Sequence, residues 1–173
     1  HKVWLIMTIL KLELDSFVAR TSLEKLKEFA KHPRRAVQAV TFTFDRLIRN
    51  TFGKQTDPWG KPWAELSPTT LSGRKRKGRN SIAKLVDTKV LFRSLQRKVD
   101  NANEGHVQIG TPDRPVLPHL FGNPTNRAWG GPIAPIPARP MLPIRPDGEV
   151  EVPIAWSAMI NEEINKNLPP EML

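Results

Sequence analysis

Residues 33–53 read PRRAVQAVTFTFDRLIRNTFG, and they decide the class of fold. Val37, Val40, Phe44, Leu47, Ile48 and Thr51 recur at intervals of three and four, which puts them on one face of an α-helix. Arg35, Gln38, Asp45 and Arg49 fall on the opposite face. Pro33 is tolerated in a first helical turn, where its missing N–H would have no intrahelical partner anyway. Gly53 is expected to end the helix, because the residue just past a terminus often turns left-handed and glycine does so without strain. Such a helix needs a surface to cover its apolar face.

That surface is sought on both sides. From Lys2 to Leu14 the chain is rich in Val, Leu and Ile and ends in Leu10-Lys11-Leu12-Glu13-Leu14, the period-two alternation of a half-buried strand. Ser22 reads as the cap of a short helix carrying Leu23, Leu26 and Phe29, stopped by Pro33. Downstream, Gln96–Asn101 and His106–Gly110 flank Ala102-Asn103-Glu104-Gly105 as an antiparallel hairpin. Residues 112–153 hold eleven of the seventeen prolines, which rules out a central strand or long helix there. Within it, 136–144 is limited to an edge or an extended arm. Pro153 opens a last helix to about Leu168, with Ile154, Met159, Ile160 and Ile164 expected inward. The fold class is therefore α+β: a small antiparallel sheet packed with a long helix from the N-terminal half and a C-terminal helix. A single domain over 1–173 is expected, bearing a basic loop at 67–81 and a Pro-rich arm at 112–153.

Composition narrows the function. The chain has 173 residues, 39% hydrophobic and 25% charged, enough apolar content for a packed core. It has no Cys, which excludes disulfides, thiolate metal sites and a cysteine nucleophile. No window approaches the roughly 20 apolar residues of a membrane helix. The opening HKVWLIMTIL is short for a signal peptide and lacks a small-residue cleavage site, so a soluble protein without membrane contact is expected. The four histidines, His1, His32, His106 and His119, are scattered and stand beside no nucleophile–base pattern. Glu162 and Glu163 are adjacent on a helix, so they point apart and make a poor acid–base pair. No metal-ligand spacing and no phosphate-binding glycine loop appear. The expectation is no catalytic residue, no cofactor and no metal: not an enzyme.

The charge is more informative. Between Lys54 and Lys98 stand twelve Lys or Arg against Asp57, Glu65 and Asp87, a net of +9 out of the chain's +10. Its densest part is Arg74, Lys75, Arg76, Lys77 and Arg79. Such a run can neutralise phosphates in a sequence-blind, salt-sensitive way. It can equally be a solvated loop, or dock onto an acidic neighbouring subunit. Just before it, Asp57-Pro58-Trp59-Gly60-Lys61-Pro62-Trp63 has tight-turn chemistry, with Ser67 and Pro68 as cap and first position of a short helical turn. The Pro-stiffened stretch 129–144 either wraps its own domain or, the favoured reading, reaches onto a neighbour at low entropic cost.

Several motifs occur in a recognisable order. Phe52-Gly53 follows the long helix; then come Asp57-Pro58-Trp59-Gly60-Lys61-Pro62-Trp63-Ala64-Glu65-Leu66 and a basic linker. Leu85-Val86-Asp87-Thr88-Lys89-Val90-Leu91-Phe92-Arg93-Ser94-Leu95 follows, then Val107-Gln108-Ile109-Gly110-Thr111, His119-Leu120-Phe121-Gly122 and Ile136-Pro137-Ala138-Arg139-Pro140. From about Phe44 to Ile144 this resembles the phage virion morphogenesis family, the tail-completion proteins of Mu-like and P2-like tailed phages. Two positions depart from that family. Lys89 stands where it usually has Gly, and Pro115-Val116-Leu117-Pro118 replaces a Tyr-Ala pair.

The resemblance implies a structural virion protein at the head–tail junction, or neck. It would be a tail-completion or tail-terminator subunit that caps the tail tube and joins it to the connector. The implied partners are copies of itself in a ring (six by analogy), the tail tube, the connector and the genomic DNA passing through. The implied location is the virion tail, with the host cytoplasm during assembly. Trp59, Trp63, Val107, Ile109, Phe121 and Arg139 are candidates for contact between subunits. Arg74, Lys75, Arg76, Lys77 and Arg79 are candidates for contact with DNA or a neighbour. The alternative is a sequence-independent nucleic-acid-binding protein that uses the 74–79 loop.

Overall fold

The computed structural model describes residues 5–6, 9–13, 33–101, 104–110, 116–127 and 133–166. In chain order the elements are β1 (Leu5–Ile6), β2 (Ile9–Glu13), α1 (Pro33–Lys54), α2 (Pro68–Arg76), α3 (Val90–Arg93), β3 (Gln96–Val99), β4 (Gly105–Ile109), α4 (Leu117–Leu120) and α5 (Ile154–Lys166). The strands form one antiparallel sheet in the order β1-β2-β4-β3. The fold is α+β, as expected, with the sheet and α5 both packed on α1. The expected helix from Ser22 lies outside the described residues.

The β2–β4 register sets Leu10 opposite Ile109 and Leu12 opposite Val107. Val107 and Ile109 are buried while Gln108 between them is not, the alternation of a strand with one face on a core. Gly105 brings β4 close to α1: a Cβ built there would lie 2.3 Å from Thr41 Oγ1 and 2.9 Å from Val37 Cγ1.

Along α1, Val40, Phe44, Leu47, Ile48 and Thr51 are buried, joined by Ala36 and Phe52. Burying each of the large apolar side chains contributes about 1.5–3 kcal/mol. Two details of this helix differ from expectation. It runs through Gly53 to Lys54, and the left-handed residue is Gln55 at φ 58°. The Gln55 side chain compensates, donating Nε2 to the Phe52 carbonyl at 2.6 Å and accepting from Lys84 N–H at 2.5 Å. Asp45, placed on the outer face by its spacing, is buried and paired with Arg49 at 2.9 Å and Arg97 at 3.5 Å. The hairpin folds over that side of the helix, and its Arg97 comes with it.

The C-terminal helix buries Ile160 and Ile164 as expected, but its inner face is turned away from Ile154 and Met159. Trp156, Ile160 and Ile164 are its buried residues, and the Trp156 ring stands edge-on to Phe44 at 5.7 Å. Ile154 and Met159 are exposed instead. A four-residue period begun at Trp156 gives the true face; one begun at Ile154 does not.

The proline-rich stretch also changes role. Arg139, Met141, Leu142 and Ile144 are buried among the chain's own core residues, so this part of the arm completes its own subunit rather than reaching a neighbour. Its backbone is held by the bridges Asn123↔Ile136 and Ile144↔Val150, and the short helix α4 interrupts it.

Candidate functional site

The basic segment is an anchored lobe. It begins at the turn after α1, where Asp57 Oδ1 accepts from Trp59 N–H at 3.0 Å and Lys61 N–H at 2.8 Å. That turn swings Trp63 inward. Trp63 is buried edge-on to Phe52 at 5.5 Å, and its indole N–H donates to the Pro140 carbonyl at 2.8 Å. Arg139 holds the next two residues, donating Nε to the Ala64 carbonyl and Nη2 to the Glu65 carbonyl, both at 3.0 Å. Burial, and then the Arg74 charge, push the Arg139 guanidinium below its usual value, against the opposing effect of Glu65.

Ser67 caps α2 as its sequence requires, accepting from Thr70 N–H at 3.2 Å, with Pro68 in the first turn. The expected basic loop is therefore helical from Pro68 to Arg76. Its five candidate cations divide. Arg74 is buried, donates to the Ser81 and Ala83 carbonyls at 2.8 Å and lies 3.6 Å from Asp87. Arg79 pairs with the other oxygen of Asp87 at 2.9 Å. These two fold the return segment back along α2. Lys75, Arg76 and Lys77 are exposed, and among the described residues no carboxylate pairs with them. Lys84 meets Glu65 at 2.8 Å and closes the lobe on the extended segment that Arg139 holds.

The other candidates are placed as follows. Trp63, Val107, Ile109 and Arg139 are buried within the chain, so their side chains serve its own core and leave little surface for a neighbour. Phe121 is half-buried against that core. Trp59 is 42% exposed at the tip of the turn. Sequence reasoning missed Gln55, Asp87 and the structural use of Arg74 and Arg139. Arg139 lies between Ala138 and Pro140 in an extended run, and a lone cation there signals a carbonyl clamp more than a surface charge.

Of the histidines, His106 meets Asp100 at 2.5 Å across the hairpin, a pairing that sequence spacing did not reveal. His119 is half-buried. Burial, and then the Arg139 charge, hold its imidazole below the usual histidine value. Glu162 bonds Lys166 at 2.7 Å and Glu163 lies 4.0 Å from Arg46. Among the described residues no three His, Asp or Glu side chains gather to hold a metal ion, and no helix is long and apolar enough to cross a membrane.

The motifs that build this lobe lie inside a longer match. The sequence pattern of the phage virion morphogenesis family covers residues 16–158. The chain belongs to that family. It has a structural role in phage virion assembly and is virion-associated. No curated protein and no solved structure shows detectable similarity to it. Lys89, which stands where the resemblance expects Gly, has φ 58°, the left-handed conformation that favours glycine.

Proposed function

We propose that this protein of the phage virion morphogenesis family is a tail-completion or tail-terminator subunit at the head–tail junction. Copies close a ring on the end of the tail tube, stop its growth and present a surface to the connector. The genome passes through the ring. The observation that carries this reading is the family match over residues 16–158. The lobe supports it. Templated association needs a projecting surface held rigidly on a core, and Trp63, Arg139 and Arg74 supply that hold. A ring also covers sheet edges such as β3, which would otherwise invite uncontrolled pairing.

The test is electron microscopy of tails assembled with and without this protein. Tails of irregular length identify a terminator; finished tails that fail to join heads identify a joining role. Fully infectious particles lacking the protein overturn both.

A second reading, sequence-independent nucleic-acid binding, is favoured by the exposed Lys75, Arg76 and Lys77. With Arg74 and Arg79 committed to the lobe, three phosphate contacts predict a log–log salt slope of about −3. Negligible DNA retardation at low salt removes it.

A further inference from the structure

Helix α2 hides almost nothing of itself. It has nine residues, of which Arg74 alone is buried, and isolated helices shorter than roughly 12–15 residues are marginal in water. Gly73 weakens it further. Its outer surface carries the exposed Leu71 and then Lys75, Arg76 and Lys77. An element of this kind gains by lying against something apolar and acidic.

The chain itself carries such a surface. From Arg145 to Lys166 there are five Asp or Glu against these two cations, a net of −3 in a chain of net charge +10. Arg145 pairs with Asp147 and Glu151, and Lys166 with Glu162. On α5, Ile154, Ala155, Ala158 and Met159 form one exposed stripe opposite the buried Trp156, Ile160 and Ile164, and Ile154 is 90% exposed. Glu162 continues this face of α5 and Glu149 lies in the turn that precedes the helix; both are exposed. An exposed apolar stripe flanked by a net acidic segment is the make-up of a protein contact.

We infer that α2 of one copy docks on the outer face of α5 of the next copy. Leu71 packs against Ile154 and Met159. Lys75, one turn beyond Leu71 on the same flank, faces Glu162, while Arg76 and Lys77 around the helix end add their charge to the attraction for the acidic segment. The two patches are different parts of one chain, so the contact is head-to-tail and its repetition closes a ring. The inference rests on the ring reading above and names its surfaces. A nucleic acid would use the three cations but leave Leu71, Ile154 and Met159 in water and the net acidic segment unused. A second copy satisfies all of them.

The test is sedimentation velocity of the full chain over a range of concentrations, with thermal melts to show that each variant folds. The variants are Lys75→Glu/Arg76→Glu/Lys77→Glu, Glu149→Lys/Glu162→Lys, and the uncharged Ile154→Ser. Each is expected to raise the half-assembly concentration, the charge reversals by about a hundredfold or more. An equimolar mixture of the two charge-reversed proteins is expected to assemble again, because every contact in an alternating ring regains opposite charges. Normal rings from the Lys75→Glu/Arg76→Glu/Lys77→Glu protein overturn this contact while leaving the ring reading intact. So does a mixture that stays monomeric while the wild type assembles. Normal assembly with loss of DNA retardation assigns the cations to nucleic acid instead. A wild type that stays monomeric, with and without tail tubes, overturns the ring reading and this contact together.

Discussion

The Trp63 indole N–H donates to the Pro140 carbonyl at 2.8 Å, across 77 residues of chain. This bond joins the tryptophan turn to the proline-rich stretch, and the Arg139 guanidinium beside it grips Ala64 and Glu65. Proline has no N–H to offer a ladder, so a Pro-rich segment can be held through its carbonyls. Here the Trp63 indole donates to the Pro140 carbonyl, and the segment's own Arg139 guanidinium donates in return to the Ala64 and Glu65 carbonyls. The lobe thus rests on the core through side chains from distant parts of the sequence.

Trp63→Phe should therefore destabilise the protein by about 2 kcal/mol. The substitution leaves the Pro140 carbonyl without its donor, at about 1–3 kcal/mol for a buried polar group, and a small void besides. Trp63→Ala should cost about 3–5 kcal/mol. Urea denaturation with an unchanged m-value is the measurement. Equal midpoints for wild type and Trp63→Phe would show that this bond does not hold the lobe.

The elements readable in the sequence were those specified by their own periodicity and local turn and cap chemistry. Helix α1, the β3–β4 hairpin and the Ser67 cap followed from spacing and local chemistry alone. The lobe's anchors did not. A cation such as Arg74 looks identical in sequence to Lys75 whether it is solvated or buried against backbone carbonyls, and only the return of residues 81–87 along α2 distinguishes them. The same holds for Asp45, whose burial depends on Arg97 arriving from another element. Residues 139–144 read as a free arm because proline content excludes regular structure but says nothing about burial.

Gly105→Ala should destabilise by about 1–3 kcal/mol, the usual cost of overpacking. The added methyl would sit 2.3 Å from Thr41 Oγ1 and 2.9 Å from Val37 Cγ1, and Thr41 is already fixed by donating to the Val37 carbonyl at 2.6 Å. Adding Thr41→Ala should recover part of the loss, a coupling that a double-mutant cycle reads directly. Additive losses would mean that the helix and hairpin do not meet at this point.

Lys89→Gly should stabilise the protein by about 0.5 kcal/mol. Lys89 caps α3 with φ 58°, a left-handed conformation that costs a side-chain-bearing residue about 1–2 kcal/mol. Glycine removes that strain and returns about 0.5–1 kcal/mol of it as unfolded-state entropy. Lys89→Ala should show no such gain, so thermal melts of the pair separate backbone strain from loss of the ammonium group.

Stability should fall between pH 7 and pH 5, and His119 should be a cause. Burial, then the Arg139 charge, hold its imidazole below the usual value, whereas in the unfolded chain it takes a proton near pH 6.5. Below that pH the unfolded state binds the extra proton, so stability declines as pH falls. It is fully present above about 6.5 and levels off once the folded-state value is passed. Asp100 and Glu162 are also depressed, chiefly by hydrogen bonds from Lys98 and Lys166. Their losses come lower, below about pH 4, and do not overlap this window. Because the Arg139 N–H donates to the His119 carbonyl at 2.6 Å, protonation acts on the residue that clamps the lobe. His119→Gln should flatten melting temperature against pH between 7 and 5, whatever its effect on the baseline. An unchanged slope in that variant would remove His119 as the titrating group.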